Sequence, residues 1–63
     1  MPTITIQMWE GRTPEVKADL AKTVTRLISE KLSVPEESVT VVFSELSKTN
    51  FARGGVLASD RGK

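Results

Sequence analysis

The sequence predicts an α/β fold: a βαβ unit with parallel strands and a short C-terminal hairpin. Three observations point to it. Thr3 to Trp9 alternates, with Ile4, Ile6 and Met8 on one side and Thr5, Gln7 and Trp9 on the other, as a strand with one apolar face does. Val16, Leu20, Val24, Leu27, Ile28 and Leu32 then recur at helical spacing over about five turns. A second alternating run, Val39 to Glu45, sets Val39, Val41 and Phe43 against Thr40, Val42 and Ser44. A strand, helix and strand in one sheet cross over right-handed, which makes the two strands parallel neighbours.

Each boundary has a local cause. Glu10-Gly11-Arg12 breaks the first strand. Thr13-Pro14-Glu15 starts the helix, with Thr13 as N-cap, Pro14 at the first helical position and a carboxylate in the first turn. Asp19, Lys22, Thr25, Arg26 and Ser29 form its solvated side. Pro35 stops the helix, because its ring disfavours helical geometry at Val34, and Ser33 to Ser38 is a turn with room for one short helical loop. Leu46 to Asn50 is a polar connection. Phe51 to Leu57 is a hairpin around Gly54-Gly55, a pair suited to the positive φ values of a tight turn. These glycines lack the strand-to-helix context of a phosphate loop. The Ala58 to Lys63 tail is polar and is expected to be fully ordered only in an assembly.

Composition narrows the function classes. Sixty-three residues make one small domain, 1–63. A chain of about 60 residues buries only about 60% of its unfolded surface, and such scaffolds are usually stabilised by disulfides, a metal or oligomerisation. With no Cys and no His, thiolate chemistry, His-based acid–base catalysis and classical zinc sites are excluded, so oligomerisation is the remaining route. Nine Lys and Arg against eight Asp and Glu are scattered, and Trp9, Phe43 and Phe51 are the three aromatics, so no nucleic-acid partner is expected. No apolar run approaches transmembrane length and no signal-peptide region opens the chain, so no membrane partner and a cytoplasmic location are expected.

Pro2 is the candidate for chemistry. Once Met1 is removed, Pro2 carries a free secondary amine on a rigid ring, which can accept a proton as an amide nitrogen cannot. A free α-amino group has a reference pKa near about 8. Burial and nearby positive charge disfavour the protonated amine and move it towards neutrality, where a general base works best. Parallel pairing puts Val39-Thr40-Val41 beside Pro2, while Arg12 lies past the far end of the first strand. Seven strand residues at about 3.3 Å each separate those ends by roughly 23 Å, more than an arginine side chain spans. If Pro2 and Arg12 serve one site, Arg12 comes from a neighbouring subunit.

Pro2, the Glu10-Gly11-Arg12 turn before the helix, the chain length and the Phe51…Gly54-Gly55…Leu57-Ala58-Ser59 segment together resemble the short members of the 4-oxalocrotonate tautomerase family. These are small enzymes that use an amino-terminal proline as catalytic base, and the match runs from Pro2 to about Ser59. The resemblance implies four-stranded dimers of βαβ protomers, three of which form a homo-hexamer. It implies a 1,3- or 1,5-keto–enol proton transfer on 2-hydroxydienoates such as 2-hydroxymuconate, from the catabolism of aromatic compounds, with no cofactor and no metal. Pro2 would take the enol proton and return it to carbon. Arg12 would hold a substrate carboxylate, its alternative being a cap or a partner for Glu10. Phe51 would wall the site, its alternative being core packing.

Three positions depart from the family's pattern. Diacid-active members carry a second arginine early in the second strand, where this chain has Thr40. Arg53, in the hairpin where relatives carry an aliphatic residue, is either a replacement cation or a surface charge. Trp9 stands in place of a smaller aliphatic residue that lines the site in relatives. A hydratase or dehalogenase on the same scaffold is one alternative function, although Arg53 occupies the region from which such relatives draw their carboxylate. A ligand-binding oligomer without catalysis is the other.

Overall fold

Strand β1 (Thr3–Trp9) pairs in parallel with β2 (Thr40–Leu46), in register from Thr3 opposite Thr40 to Trp9 opposite Leu46. The computed structural model describes residues 1–61. Helix α1 (Pro14–Leu32) connects the strands, and an antiparallel hairpin, β3 (Ala52–Arg53) with β4 (Val56–Leu57), follows. Short 3-10 turns occupy Glu36–Ser38, Lys48–Asn50 and Ala58–Asp60. The last of these orders the front of the predicted polar tail; residues 62 and 63 lie outside the described residues.

Strand β2 begins and ends one residue later than its alternation suggests. The reason lies in the backbone hydrogen bonds. The Val39 N–H is used by the preceding turn, donating to the Glu36 carbonyl at 3.1 Å, so the ladder starts with the Thr40 N–H donating to the Pro2 carbonyl at 3.0 Å. At the other end the Leu46 carbonyl accepts the Glu10 N–H at 3.0 Å, which draws Leu46 out of the connection and into the sheet.

Helix α1 starts where predicted. Thr13 is extended, at φ −72° and ψ 157°, and its hydroxyl oxygen accepts the Val16 N–H at 3.3 Å. Losing that bond in Thr13→Ala is expected to cost about 1 kcal/mol, read as a lower denaturation midpoint. The helix ends at Ser33 in a left-handed conformation, φ 55°, two residues before Pro35. The Ser33 and Val34 N–H groups both donate to the Ser29 carbonyl, and the Ser29 hydroxyl donates to the Val34 carbonyl at 2.6 Å. These bonds satisfy orphan groups at the helix end and stop it before the proline does.

The helix lies on the sheet face that carries Ile4, Ile6, Met8, Val41 and Phe43. Lys17 Nζ sits 3.0 Å from Glu45 Oε1, and Glu45 is the register partner of Met8. A partly exposed ion pair of this kind contributes under about 1 kcal/mol, so it marks the packing more than it holds it. Leu20, Ala21, Val24 and Ile28 are half-buried, but Val16 and Leu27, at one edge of the predicted stripe, are about 50% and 51% exposed. Two strands about 4.8 Å apart are narrower than a helix about 10 Å across, so they cannot cover the whole stripe.

The opposite sheet face carries Thr3, Thr5, Gln7, Trp9, Thr40, Val42, Ser44 and Leu46, with Trp9 43% and Val42 44% exposed. Among the described residues no hydrophobic side chain is fully buried. The protomer measures 47 × 24 × 13 Å with a radius of gyration of 15.2 Å, against about 11 Å for a compact domain of this length. Its apolar surface lies on the outside of an elongated slab.

Candidate active site

The predicted functional residues separate into two groups at opposite ends of the sheet. Pro2 immediately precedes β1, and its carbonyl accepts the Thr40 N–H at 3.0 Å, which ties it to the start of β2. Pro2 is half-buried, whereas Met1 before it is 88% exposed. Thr40 is exposed, and it shares the open face with its partner Thr3. Pro2 and Thr40 are therefore joined through the backbone at this end, with the Thr40 side chain on the open face.

At the other end, Trp9 closes β1 and the chain reverses through Gly11, whose φ of 113° is a conformation that suits glycine. Arg12 follows, just ahead of the helix cap. A groove of about 400 Å³ opens here, lined by Gln7, Met8, Trp9, Arg12, Leu46 and Phe51. Arg12 is the one charged residue in that lining, and among the described residues its guanidinium has no ion pair or hydrogen bond, with Glu10 or any other group. The groove thus offers one cation and a largely apolar wall, a combination suited to a carboxylate on an unsaturated or apolar body.

The hairpin supplies Phe51 and holds it in place. The Gly54-Gly55 turn has φ values of 61° and 80°, as a tight two-residue hairpin turn requires. The Ala58 N–H donates to the Phe51 carbonyl at 2.8 Å. The Phe51 ring meets Trp9 edge-on, with centroids 5.2 Å apart and planes at 85°. The Arg53 guanidinium carbon lies 5.5 Å from the Phe51 centroid, in cation–π range. Arg61 donates from Nη2 to the Arg53 carbonyl at 2.8 Å. Arg53 stacks on the aromatic wall and is not part of the groove lining.

A second groove of about 410 Å³ adjoins the first, lined by Trp9, Glu10, Leu46, Ser47, Lys48 and Thr49. Trp9 and Leu46 belong to both. Gln7, Met8, Leu46 and Lys48 line these grooves without carrying a functional signal in the sequence. Leu46 was within reach, because Thr40, Val42 and Ser44 continue to it at period two. Among the described residues no cluster of three or more His, Cys, Asp or Glu could hold a metal, and no helix is long and apolar enough to cross a membrane.

Within one protomer, then, Arg12, Trp9 and Phe51 surround one groove, Arg53 stacks behind it, and Pro2 with Thr40 stands at the far end of the strands. Comparison with known proteins gives consistent results. The profile of a family described as "Tautomerase enzyme" matches residues 2–61. A "probable tautomerase" of Bacillus cereus is 46% identical over 61 residues, covering 97% of this chain and 100% of the relative. The 2-hydroxymuconate tautomerase of Pseudomonas putida is 42% identical over 59 residues, covering 94% of each. The crystal structure of a 4-oxalocrotonate tautomerase homologue superposes with a TM-score of 0.89 at 36% identity over 100% of both chains. A heterohexameric 4-oxalocrotonate tautomerase from Chloroflexus aurantiacus gives 0.84 at 30% identity, covering 97% of this chain and 98% of that one.

Proposed function

The chain belongs to the tautomerase family, and from that premise we propose that it is an isomerase catalysing keto–enol proton transfer on 2-hydroxydienoates or related enol carboxylates, with Pro2 as general base. The observation that carries this reading is the placement of Pro2. It sits at the head of β1, tied to β2 through Thr40, in a chain whose family match begins at that residue. After removal of Met1, the neutral amine of Pro2 takes the enol O–H proton. The electron pair shifts along the conjugated system to form the ketone, and the proton is returned to a carbon one or two double bonds away. No electron leaves the substrate and no cofactor is required.

The remaining roles follow from chemistry. Arg12 holds the substrate carboxylate in charge-assisted hydrogen bonds, and Phe51 keeps the base in apolar surroundings. The Thr40 hydroxyl can donate to the developing enolate oxygen without supplying a full charge. Because Arg12 and Pro2 lie at opposite ends of one sheet, each site draws Arg12 and Phe51 from another copy of the chain. The protomer therefore works only as an oligomer. Likeness to a heterohexameric tautomerase favours a homo-hexamer, a trimer of dimers, in which the middle of the open sheet face packs between copies and its end at Trp9 and Leu46 remains with the groove. Such an enzyme serves the cytoplasmic breakdown of aromatic compounds. Ultraviolet monitoring of 2-hydroxymuconate, an arylenolpyruvate and a haloacrylate tests the reading. Turnover of the enols supports it, turnover of the haloacrylate alone favours a dehalogenase, and no turnover with retained binding favours a non-catalytic oligomer.

Thr40 gives a further prediction. Placing a guanidinium beside Pro2 supplies the second cation that a diacid can use. Thr40→Arg is expected to raise kcat/KM for a diacid by at most about one to two orders of magnitude, as one charged hydrogen bond allows, and to leave monoacids nearly unchanged. Arg53→Ala should weaken both classes alike by about two- to fivefold, the worth of a cation–π contact. A loss confined to diacids would instead assign Arg53 to the second carboxylate.

A further inference from the structure

We propose that Trp9 determines substrate choice, admitting enol monoacids with a planar, aryl-type body to the Arg12 groove and disfavouring linear diacids. The inference rests on the proposed activity for its kinetic consequences but on the groove alone for its binding consequences. Four observations carry it. The groove presents one cation, Arg12, while Met8, Trp9, Leu46 and Phe51 make most of the rest apolar. Trp9 and Phe51 stand at 85° with centroids 5.2 Å apart, so their rings form a corner. A planar ring lying against one of them presents its edge to the other, the offset and edge-on geometry that aromatic groups prefer. The volume, about 400 Å³, is that of a small-ligand pocket.

The fourth observation is the second groove. Lys48 lines the adjoining groove, and Trp9 and Leu46 line both grooves. A linear diacid reaching from Arg12 towards a second cation meets those two side chains. Arg53 offers no substitute inside the groove, since its guanidinium lies over Phe51. Shortening Trp9 lowers the partition and removes half of the aromatic corner in one step.

Trp9 is the sole tryptophan of the chain, so its fluorescence reports the groove directly. The assembled protein, with Met1 removal verified by mass, is titrated with 3-phenylpropionate and with adipate, neither of which is an enol. The aryl monoacid is expected to change Trp9 emission and to bind about tenfold more tightly than the diacid, as one aromatic contact allows. Equal affinities, or tighter adipate binding, overturn the proposal. In kinetics, Trp9→Leu should lower the ratio of kcat/KM for an arylenolpyruvate to that for 2-hydroxymuconate by about tenfold, and Trp9→Phe should keep most of that ratio. A parallel fall for both substrates in both correctly assembled variants makes Trp9 a packing residue and overturns the proposal. Ligand preference without turnover refutes the tautomerase reading and leaves the selectivity standing; turnover without ligand preference does the reverse.

Discussion

Replacing Pro2 by Ala is expected to lower kcat/KM by about 10²–10⁴-fold, the usual contribution of a positioned general base. Alanine also offers a free amine after removal of Met1, but a primary one on a freely rotating terminus. Its orientation is no longer fixed by the pyrrolidine ring, although the residue's carbonyl can still accept the Thr40 N–H. Retention of Met1 should have a larger effect still, because the Pro2 nitrogen is then an amide with no basic lone pair. The pH profile follows from the same assignment. With the neutral amine as the proposed base, activity should be low where the amine is protonated and rise with pH as the proton is lost. In the proposed assembly, Arg12 and Phe51 of another copy beside Pro2 would both disfavour the protonated amine, so the rise is expected below the ordinary α-amino value of about 8. Intact mass spectrometry paired with enol-ketonisation kinetics checks both points. Full activity in protein proven to retain Met1 would remove Pro2 from the mechanism.

The parts of the fold legible in the sequence are those with local causes. Strand β1 was predicted at its observed bounds because its alternation is uninterrupted and Gly11 ends it. The helix start was legible because Thr13, Pro14 and Glu15 each satisfy a different requirement of a helix N-terminus. Gly54-Gly55 specified the hairpin because both residues must adopt positive φ. What escaped was decided by partners distant in the chain. The start of β2 depends on whether the Val39 N–H goes to the turn or to the sheet, and Val39 suits either. Leu46 entered the sheet because Glu10, across the unit, bonds its carbonyl. The exposure of Val16 and Leu27 follows from the width of a two-stranded sheet, which helical periodicity does not express.

The candidate site was legible in a similar measure. The opposite positions of Pro2 and Arg12 followed from parallel pairing and strand length before any side chain was placed, and the structure has them at opposite ends of the strands. Arg53 was the ambiguous residue, because a hairpin charge can point into a groove or lie over a ring, and spacing does not distinguish the two. Its stacking on Phe51 depends on Arg61 and Ala58 holding the hairpin, contacts made within the C-terminal segment itself. Trp9 joins the two levels of description. Period two puts it on the open sheet face, and its position at the strand end makes it a wall of two grooves at once.

Mixed oligomers built from Pro2→Ala and Arg12→Ala proteins are expected to recover activity that neither parent has. Arg12 is the sole charged residue of its groove, so Arg12→Ala alone should cost about 10²-fold in kcat/KM through lost carboxylate hydrogen bonds. Each parent oligomer then lacks one residue at every site. If Pro2 and Arg12 of a site come from different chains, a mixed assembly contains sites in which the Arg12→Ala chain supplies Pro2 and the Pro2→Ala chain supplies Arg12. Random equimolar reassembly makes roughly a quarter of the sites intact, because two independent choices must both fall correctly in a symmetric oligomer. The parents are dissociated together in denaturant, refolded, shown by native mass spectrometry to be mixed hexamers, and assayed against each parent refolded alone. Sites built within one chain would gain nothing from mixing, since every chain carries one lesion. Recovery near a quarter of wild-type activity therefore supports sites shared between chains, and none in verified mixed hexamers rules them out.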